Sequence, residues 1–231
     1  MKHKLFYQDL ITSISEGNKG LAILIDPEKF SISETNSFLK KIPKKTTHIF
    51  VGGSTIANGC VEKTINVFKE HTNLPVFLFP GDHSQITNSA DAILFLSLLS
   101  GRNAEYLIGQ QVKSVSVLIN LSLEIIPTGY LLLDGGNESA VARVSKTLPM
   151  NQDNIDFIVH TALAGQYMGA KLIYLEAGSG AKNPIKPEVI KAVKNAIELP
   201  LIVGGGIKTQ EQKELAYKSG ADMVVMGTAF E

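Results

Sequence analysis

Short, nearly all-apolar runs recur along the chain, separated by segments whose apolar residues return at helical spacing. The runs are LAILID ending at Asp26, THIFVGG ending at Gly53, PVFLF ending at Phe79, AILFL ending at Leu96, LEIIP with the nearby YLLLD, KLIYLE ending at Glu176, LIVGG ending at Gly205 and DMVVMG ending at Gly227. Runs that lack in/out alternation suit strands covered on both faces, and their alternation with helical segments predicts parallel strands joined by crossovers. Eight such units predict an α/β fold, the closed (β/α)₈ TIM barrel. No linker, repeat or composition shift divides residues 1–231, which predicts a single domain.

The intervening segments carry their own signals. Ser31 with Glu34 forms a capping-box pattern before a helix that stops near Pro43, and Thr209 with Gln212 forms another. Val61, Ile65 and Phe68 give one helix an apolar face, and Phe6, Leu10 and Ile14 predict an extra helix before the first strand. The stretch from Gly135 to Asn154 yields no clear element. The last run is followed at once by Phe230-Glu231, so a covering helix after the eighth strand is expected to be short or missing.

Composition narrows the function. The 231 residues are 44% hydrophobic and 19% charged, enough apolar material for a continuous core. Twenty-two basic residues balance twenty-two acidic ones, so there is no global field to draw the protein to nucleic acid. The one cysteine, Cys60, excludes an internal disulfide and points to the cytoplasm. The N-terminus lacks the long apolar core of a signal peptide, and ILFLSLL from Ile93 is far too short to span a bilayer. That leaves at most a peripheral membrane contact.

In this architecture the chemistry belongs at the C-terminal ends of the strands. Three adjacent ends are glycine-rich: Glu176-Ala177-Gly178-Ser179-Gly180, Gly204-Gly205-Gly206-Ile207 and Gly227-Thr228. Glycine brings bare amides close to an anion, and the last loops of the barrel are its usual phosphate site. Asp26 and Ser54, at the first two strand ends, offer hard oxygens that suit Mg²⁺, although a turn at Pro27 and a helix cap would use the same residues. Glu176 can orient or deprotonate a substrate hydroxyl. Tyr174 faces the same side of its strand and equally fits interior packing. Asp82 and His83 are second-rank candidates, suited to acid/base work or to a simple turn. The zinc-protease motif, the G-x-S-x-G elbow and an interior lysine are absent; Lys171 lies on the wrong rim for a Schiff base.

The segments LAILIDPEK, THIFVGGSTI, PVFLFPG, YLEAGSGA, IVGGGI and ADMVVMGTAFE together resemble the geranylgeranylglyceryl phosphate synthases, over nearly the whole chain. The resemblance is to the larger branch with the IDP motif; the smaller branch has a lysine where this chain has Leu24. It implies Mg²⁺-dependent transfer of a prenyl group, usually geranylgeranyl, from its diphosphate to the 3-hydroxyl of sn-glycerol 1-phosphate, giving an ether lipid precursor. It also implies that Asp26 and Ser54 hold the metal. Tyr174, Leu175, Glu176, Ala177, Gly178, Ser179, Gly180, Gly205, Gly206, Gly227 and Thr228 would hold the glycerol phosphate, in a homo-oligomer. Ile93 to Gly109 offers apolar side chains for the prenyl tail. Two other readings share these loops: a flavin- or phosphosugar-dependent barrel enzyme, and a phosphate binder without catalysis.

Overall fold

The computed structural model describes residues 5–54 and 59–230. Its eight strands are β1 (Gly20–Ile25), β2 (His48–Val51), β3 (Val76–Leu78), β4 (Ala92–Leu98), β5 (Glu124–Leu132), β6 (Leu172–Glu176), β7 (Leu201–Gly204) and β8 (Met223–Met226). All neighbours pair in parallel, and β1 closes the barrel by pairing with β2 on one side and β8 on the other. LEIIP and YLLLD form one continuous strand, β5, in which the Pro127 carbonyl still accepts a bond from Lys171 N.

Successive side chains alternate between two cores. Ala22, Phe50, Phe77, Leu94, Tyr174 and Ile202 fill the barrel interior, whereas Ile23, Ile49, Leu78, Ile93, Leu175 and Val203 face outward. Both faces are dry, which is why the strand sequences show no polar alternation.

The helices are α1 (Phe6–Ser15), α2 (Thr35–Lys41), α3 (Cys60–His71), α4 (Gln110–Leu118), α5 (Ala140–Ser145), α6 (Ile155–Tyr167), α7 (Pro187–Ala196) and α8 (Gln210–Lys218). As expected from its apolar stripe, α1 closes the lower pole: Leu10 joins the interior core and the Phe6 ring meets Phe77 edge-on at 5.9 Å. Glu124, at the start of β5, accepts the otherwise orphaned Tyr7 N–H of its first turn at 3.2 Å. Val61, Ile65 and Phe68 are buried along α3, and Phe68 joins Phe30 and Phe38 in an aromatic cluster. Thr209 and Gln212 form the expected capping box of α8.

The Ser31–Glu34 box does not form. A 3₁₀ turn occupies Ile32–Glu34, the Ser31 hydroxyl pairs with Ser33 at 2.9 Å, and α2 begins only at Thr35. The Gly135–Asn154 stretch folds back on itself. Ser139 caps the short α5, Lys146 ends it with φ +53°, and Met150 returns to pair with Leu133 beside β5.

One crossover departs from the helical pattern. Between β3 and β4 the described chain forms only a 3₁₀ turn, His83–Gln85. Pro80, Gly81, Asp82, Asn88 and Ser89 favour turns, and no apolar i, i+4 pattern supports a helix there. Among the described residues no helix of this crossover lies over β3 and β4; Ile86, after the turn, packs on the outer core in its place.

Stability is anchored at the lower rim by a motif that recurs four strands apart. Asp91, before β4, accepts Val76 N at 2.8 Å and Lys69 Nζ at 2.8 Å. Asp222, before β8, accepts Leu201 N at 2.9 Å and Lys194 Nζ at 2.6 Å. Each buried or half-buried carboxylate ties a strand start to the helix that precedes it. Asp222→Ala, which strands the buried Leu201 N–H, is expected to lower the unfolding free energy by about 1–3 kcal/mol in urea titrations. Lys19→Ala, removing the exposed cation 3.6 Å from Asp222, should change it by under about 0.5 kcal/mol.

Candidate active site

A cavity of about 490 Å³ opens at the C-terminal ends of the strands. Asp26, Ser54, Tyr174, Glu176, Ser179, Gly180, Gly205, Gly206, Gly227 and Thr228 all border it, so the candidates from β1, β2, β6, β7 and β8 converge on one mouth. Leu175 and Ala177 point the other way, into the outer core, as strand alternation requires. Gly178 lies behind the lining and works through its amide.

Glu176 is the most constrained group in the mouth. It ends β6 on the interior side, only 6% exposed, and its Oε1 accepts Gly178 N at 2.7 Å. Burial pushes its carboxyl up from 4.5 to about 7, against the opposing pull of the Gly178 amide and the Tyr174 hydroxyl. Below it, Tyr174 stacks among Tyr130 and Phe79, with ring centroids 5.3 and 5.4 Å away. Burial, reinforced by the Glu176 charge, keeps both tyrosines protonated. The Tyr174 hydroxyl lies beside the carboxylate without meeting hydrogen-bond geometry to any described residue.

The β7 loop explains its glycines through this pair. A Cβ on Gly204 would fall 2.4 Å from the Tyr174 hydroxyl and 2.9 Å from Glu176 Oε2. Gly205 adopts φ +81°, and a Cβ there would fall 2.4 Å from Glu176 Oε1 and 2.6 Å from the Ala177 and Gly178 nitrogens. A side chain at either position would collide with the carboxylate and displace the loop.

Opposite these loops, Asp26 does form the turn that its sequence allows: Oδ1 accepts Glu28 N at 3.1 Å, and Lys29 Nζ lies 3.9 Å from Oδ2. It borders the cavity nonetheless. Ser54 is not the cap of α3, whose N-cap is Gly59; Thr55 and Ile56 of the VGGSTI motif lie outside the described residues. No three His, Cys, Asp or Glu side chains converge as a metal cluster among the described residues. One carboxylate and one hydroxyl on adjacent strands still suit a hard ion that keeps most of its waters, as Mg²⁺ does.

Asp82 and His83 reach the mouth but are engaged structurally. Asp82 accepts Ser84 N at 2.8 Å, and the His83 backbone and Nδ1 both meet Gln110 Oε1 at 2.9 Å. The remaining wall is largely apolar: Ile86, Ile93 and Phe95 belong to the outer layer, and Leu96, Leu98 and Tyr106 to the barrel interior. Ile86 was not among the sequence candidates, because its role depends on the missing helix. Lys208 and Arg143 also line the cavity. The first follows GGGI directly and was legible there; the second lies in the stretch whose sequence gave no element.

The chain matches the model of the PcrB family over residues 15–231. It is 59% identical over 224 residues to the geranylgeranylglyceryl phosphate synthase of Zunongwangia profunda, covering 96% of each chain. To the protein of the same name from Thermococcus kodakarensis it is 43% identical over 213 residues, covering 90% of this chain and 83% of that one. It superposes with a TM-score of 0.90 on the crystal structure of (S)-3-O-geranylgeranylglyceryl phosphate synthase from Thermoplasma acidophilum in complex with sn-glycerol-1-phosphate, at 35% identity, covering 98% of this chain and 92% of that one.

The raised Glu176 carboxyl has a measurable signature. Its neutral form is favoured in the fold, so its contribution to stability is complete below about pH 4.5 and is lost as pH rises through about 7. Glu176→Gln escapes that loss. Relative to the parent, the variant should gain stability across this window, by up to about 3 kcal/mol near pH 8. Parallel urea titrations at pH 5 and 8 that show no relative gain would refute the desolvated carboxyl.

Proposed function

Because the chain belongs to the PcrB family, we propose that its glycine-lined mouth performs the reaction of the geranylgeranylglyceryl phosphate synthases it resembles. It is a prenyltransferase of ether lipid biosynthesis, joining a prenyl diphosphate to the 3-hydroxyl of sn-glycerol 1-phosphate. One arrangement supports this most directly: a buried carboxylate, Glu176, lies between amide-rich loops suited to a small phosphate and an apolar channel suited to a hydrocarbon.

The glycerol phosphate would rest on the loops at Ser179-Gly180, Gly205-Gly206 and Gly227-Thr228, whose backbone supplies donors without side-chain crowding. That placement brings the 3-hydroxyl to Glu176. The prenyl tail would lie along Ile86, Ile93 and Phe95, with its diphosphate toward Asp26 and Ser54. The allylic C–O bond breaks, the diphosphate leaves with the electron pair, and the glycerol oxygen bonds to the freed carbon while Glu176 takes its proton. A carboxyl that titrates near 7 is poised for that exchange at neutral pH. Asp26 and Ser54 would hold Mg²⁺, which when bound neutralises the departing diphosphate.

Two further properties belong to this proposal. The enzyme is placed in the cytoplasm, consistent with one cysteine; among the described residues no helix is long and apolar enough to cross a membrane. It assembles with itself through α4 and the turns that flank it, which leave an apolar stripe exposed. Gln111 and Ser114 are buried, while Ile108, Val112, Val115 and Ile119 are between 47% and 73% exposed. Their 4-3-4 spacing is that of a helix-pairing seam, so the partner is α4 of a second copy; peripheral contact with a bilayer is the competing use.

The decisive assay incubates the protein with labelled sn-glycerol 1-phosphate, Mg²⁺ and prenyl diphosphates of several lengths. Ether product is expected, and its absence at every length would remove the proposal. Asp26→Asn should lower kcat roughly 10²-fold with an unchanged far-UV spectrum; near-normal turnover would displace the metal from this carboxylate. Val112→Lys should shift light-scattering mass toward the monomer, and an unshifted assembly would exclude the α4 seam.

A further inference from the structure

The mouth must hold two anions at once, and its cations are few. The lysine and arginine side chains bordering it, among the described residues, are Lys29, Lys208 and Arg143. Lys29 faces Asp26 across 3.9 Å. Lys208 follows the Gly205-Gly206-Ile207 turn, on the side where bare amides already suit a small phosphate.

Arg143 stands apart from both. Its backbone N–H bonds Ser139 O, but no described residue engages its guanidinium by a hydrogen bond or ion pair. The helix beneath it is nevertheless well pinned. Val141 and Ala142 pack on the interior core, Asn103 Nδ2 donates to Ser145 O at 2.8 Å, and Tyr106 Oη donates to Val144 O at 3.4 Å. A free cationic fork is thus mounted on an anchored base.

Val141, Val144 and Tyr106 border the same cavity as Arg143, so its guanidinium shares the mouth with apolar side chains. An amphiphile whose tail lies among such side chains brings its charged head into this same mouth. A diphosphate carries more negative charge than one divalent ion cancels, and a guanidinium stays charged at every working pH and offers paired donors to phosphoryl oxygens.

Resting on the reading given under Proposed function, we propose that Arg143 binds the diphosphate head of the prenyl substrate. Its fork grips non-bridging oxygens and stays with them as the allylic C–O bond breaks and the electron pair moves onto the leaving group. Arg143 is then a substrate-binding residue that sets affinity for one substrate and leaves the other to the glycine loops.

Initial rates for the parent, Arg143→Ala and Arg143→Lys, with each substrate varied in turn, test this together with calorimetric titration of inorganic diphosphate in the presence of Mg²⁺. Arg143→Ala should raise both the KM for prenyl diphosphate and the Kd for inorganic diphosphate about tenfold or more. The KM for sn-glycerol 1-phosphate should stay within about twofold, with Arg143→Lys intermediate in both diphosphate readings because it restores charge without the fork. An unchanged diphosphate Kd, or a defect confined to the glycerol phosphate, would overturn the assignment. If the parent made no ether product the proposed reaction would fall, while the inorganic diphosphate titration would still decide the role of Arg143.

Discussion

Burying a carboxyl group at the end of β6 imposes a requirement on everything around it. Glu176 is shielded by aromatic rings below and by the backbone of the β7 loop beside it, and that burial disfavours its charged form. One amide, from Gly178, compensates in part. That approach is possible only because Gly178 takes φ +101°, and because Gly204 and Gly205 bring no side chain into the same space. The glycine clusters therefore serve two ends. They border the mouth without side-chain bulk, and they let the protein close around an acid that would otherwise be hydrated and fully ionised.

The two poles of the barrel divide their labour. At the lower rim, Asp91 and Asp222 each satisfy a strand-start amide and a helix lysine, and α1 seals the interior. These groups are paired and inward-directed. At the upper rim, Glu176 is held at an energetic disadvantage and the Arg143 guanidinium has no partner among the described residues. Such incomplete satisfaction is tolerable because the rest of the fold carries the stability.

Most of the architecture was legible because strand and helix leave different periods in a sequence. Nearly all-apolar runs identified all eight strands, and the i, i+4 stripes of α1 and α3 predicted what those helices bury. Composition-level signals were weaker where local chemistry competes. Ser31 found a neighbouring hydroxyl instead of a helix amide, and a 3₁₀ turn displaced the start of α2. In the site, glycine position marked the loops, but alternation within β6 separates Tyr174 and Glu176, which face in, from Leu175, which faces out. The contributions of Arg143 and Ile86 could not be read locally. Arg143 depends on a short helix folded over the mouth, and Ile86 on a crossover whose helix is replaced by a turn.

That replaced crossover has a consequence for how such an enzyme can diversify. A cavity confined within the barrel could lengthen only by hollowing out the interlocked interior, where each deleted methylene group leaves a void. Here the cavity also reaches outer-layer side chains between β4 and α4, namely Ile86, Ile93 and Phe95 with Gln111 and Ser114 of α4. Bulk among those side chains can be added or trimmed without disturbing the interior packing or the acid at its rim. Reach along a hydrocarbon and robustness of the scaffold thus become nearly independent traits, free to drift separately.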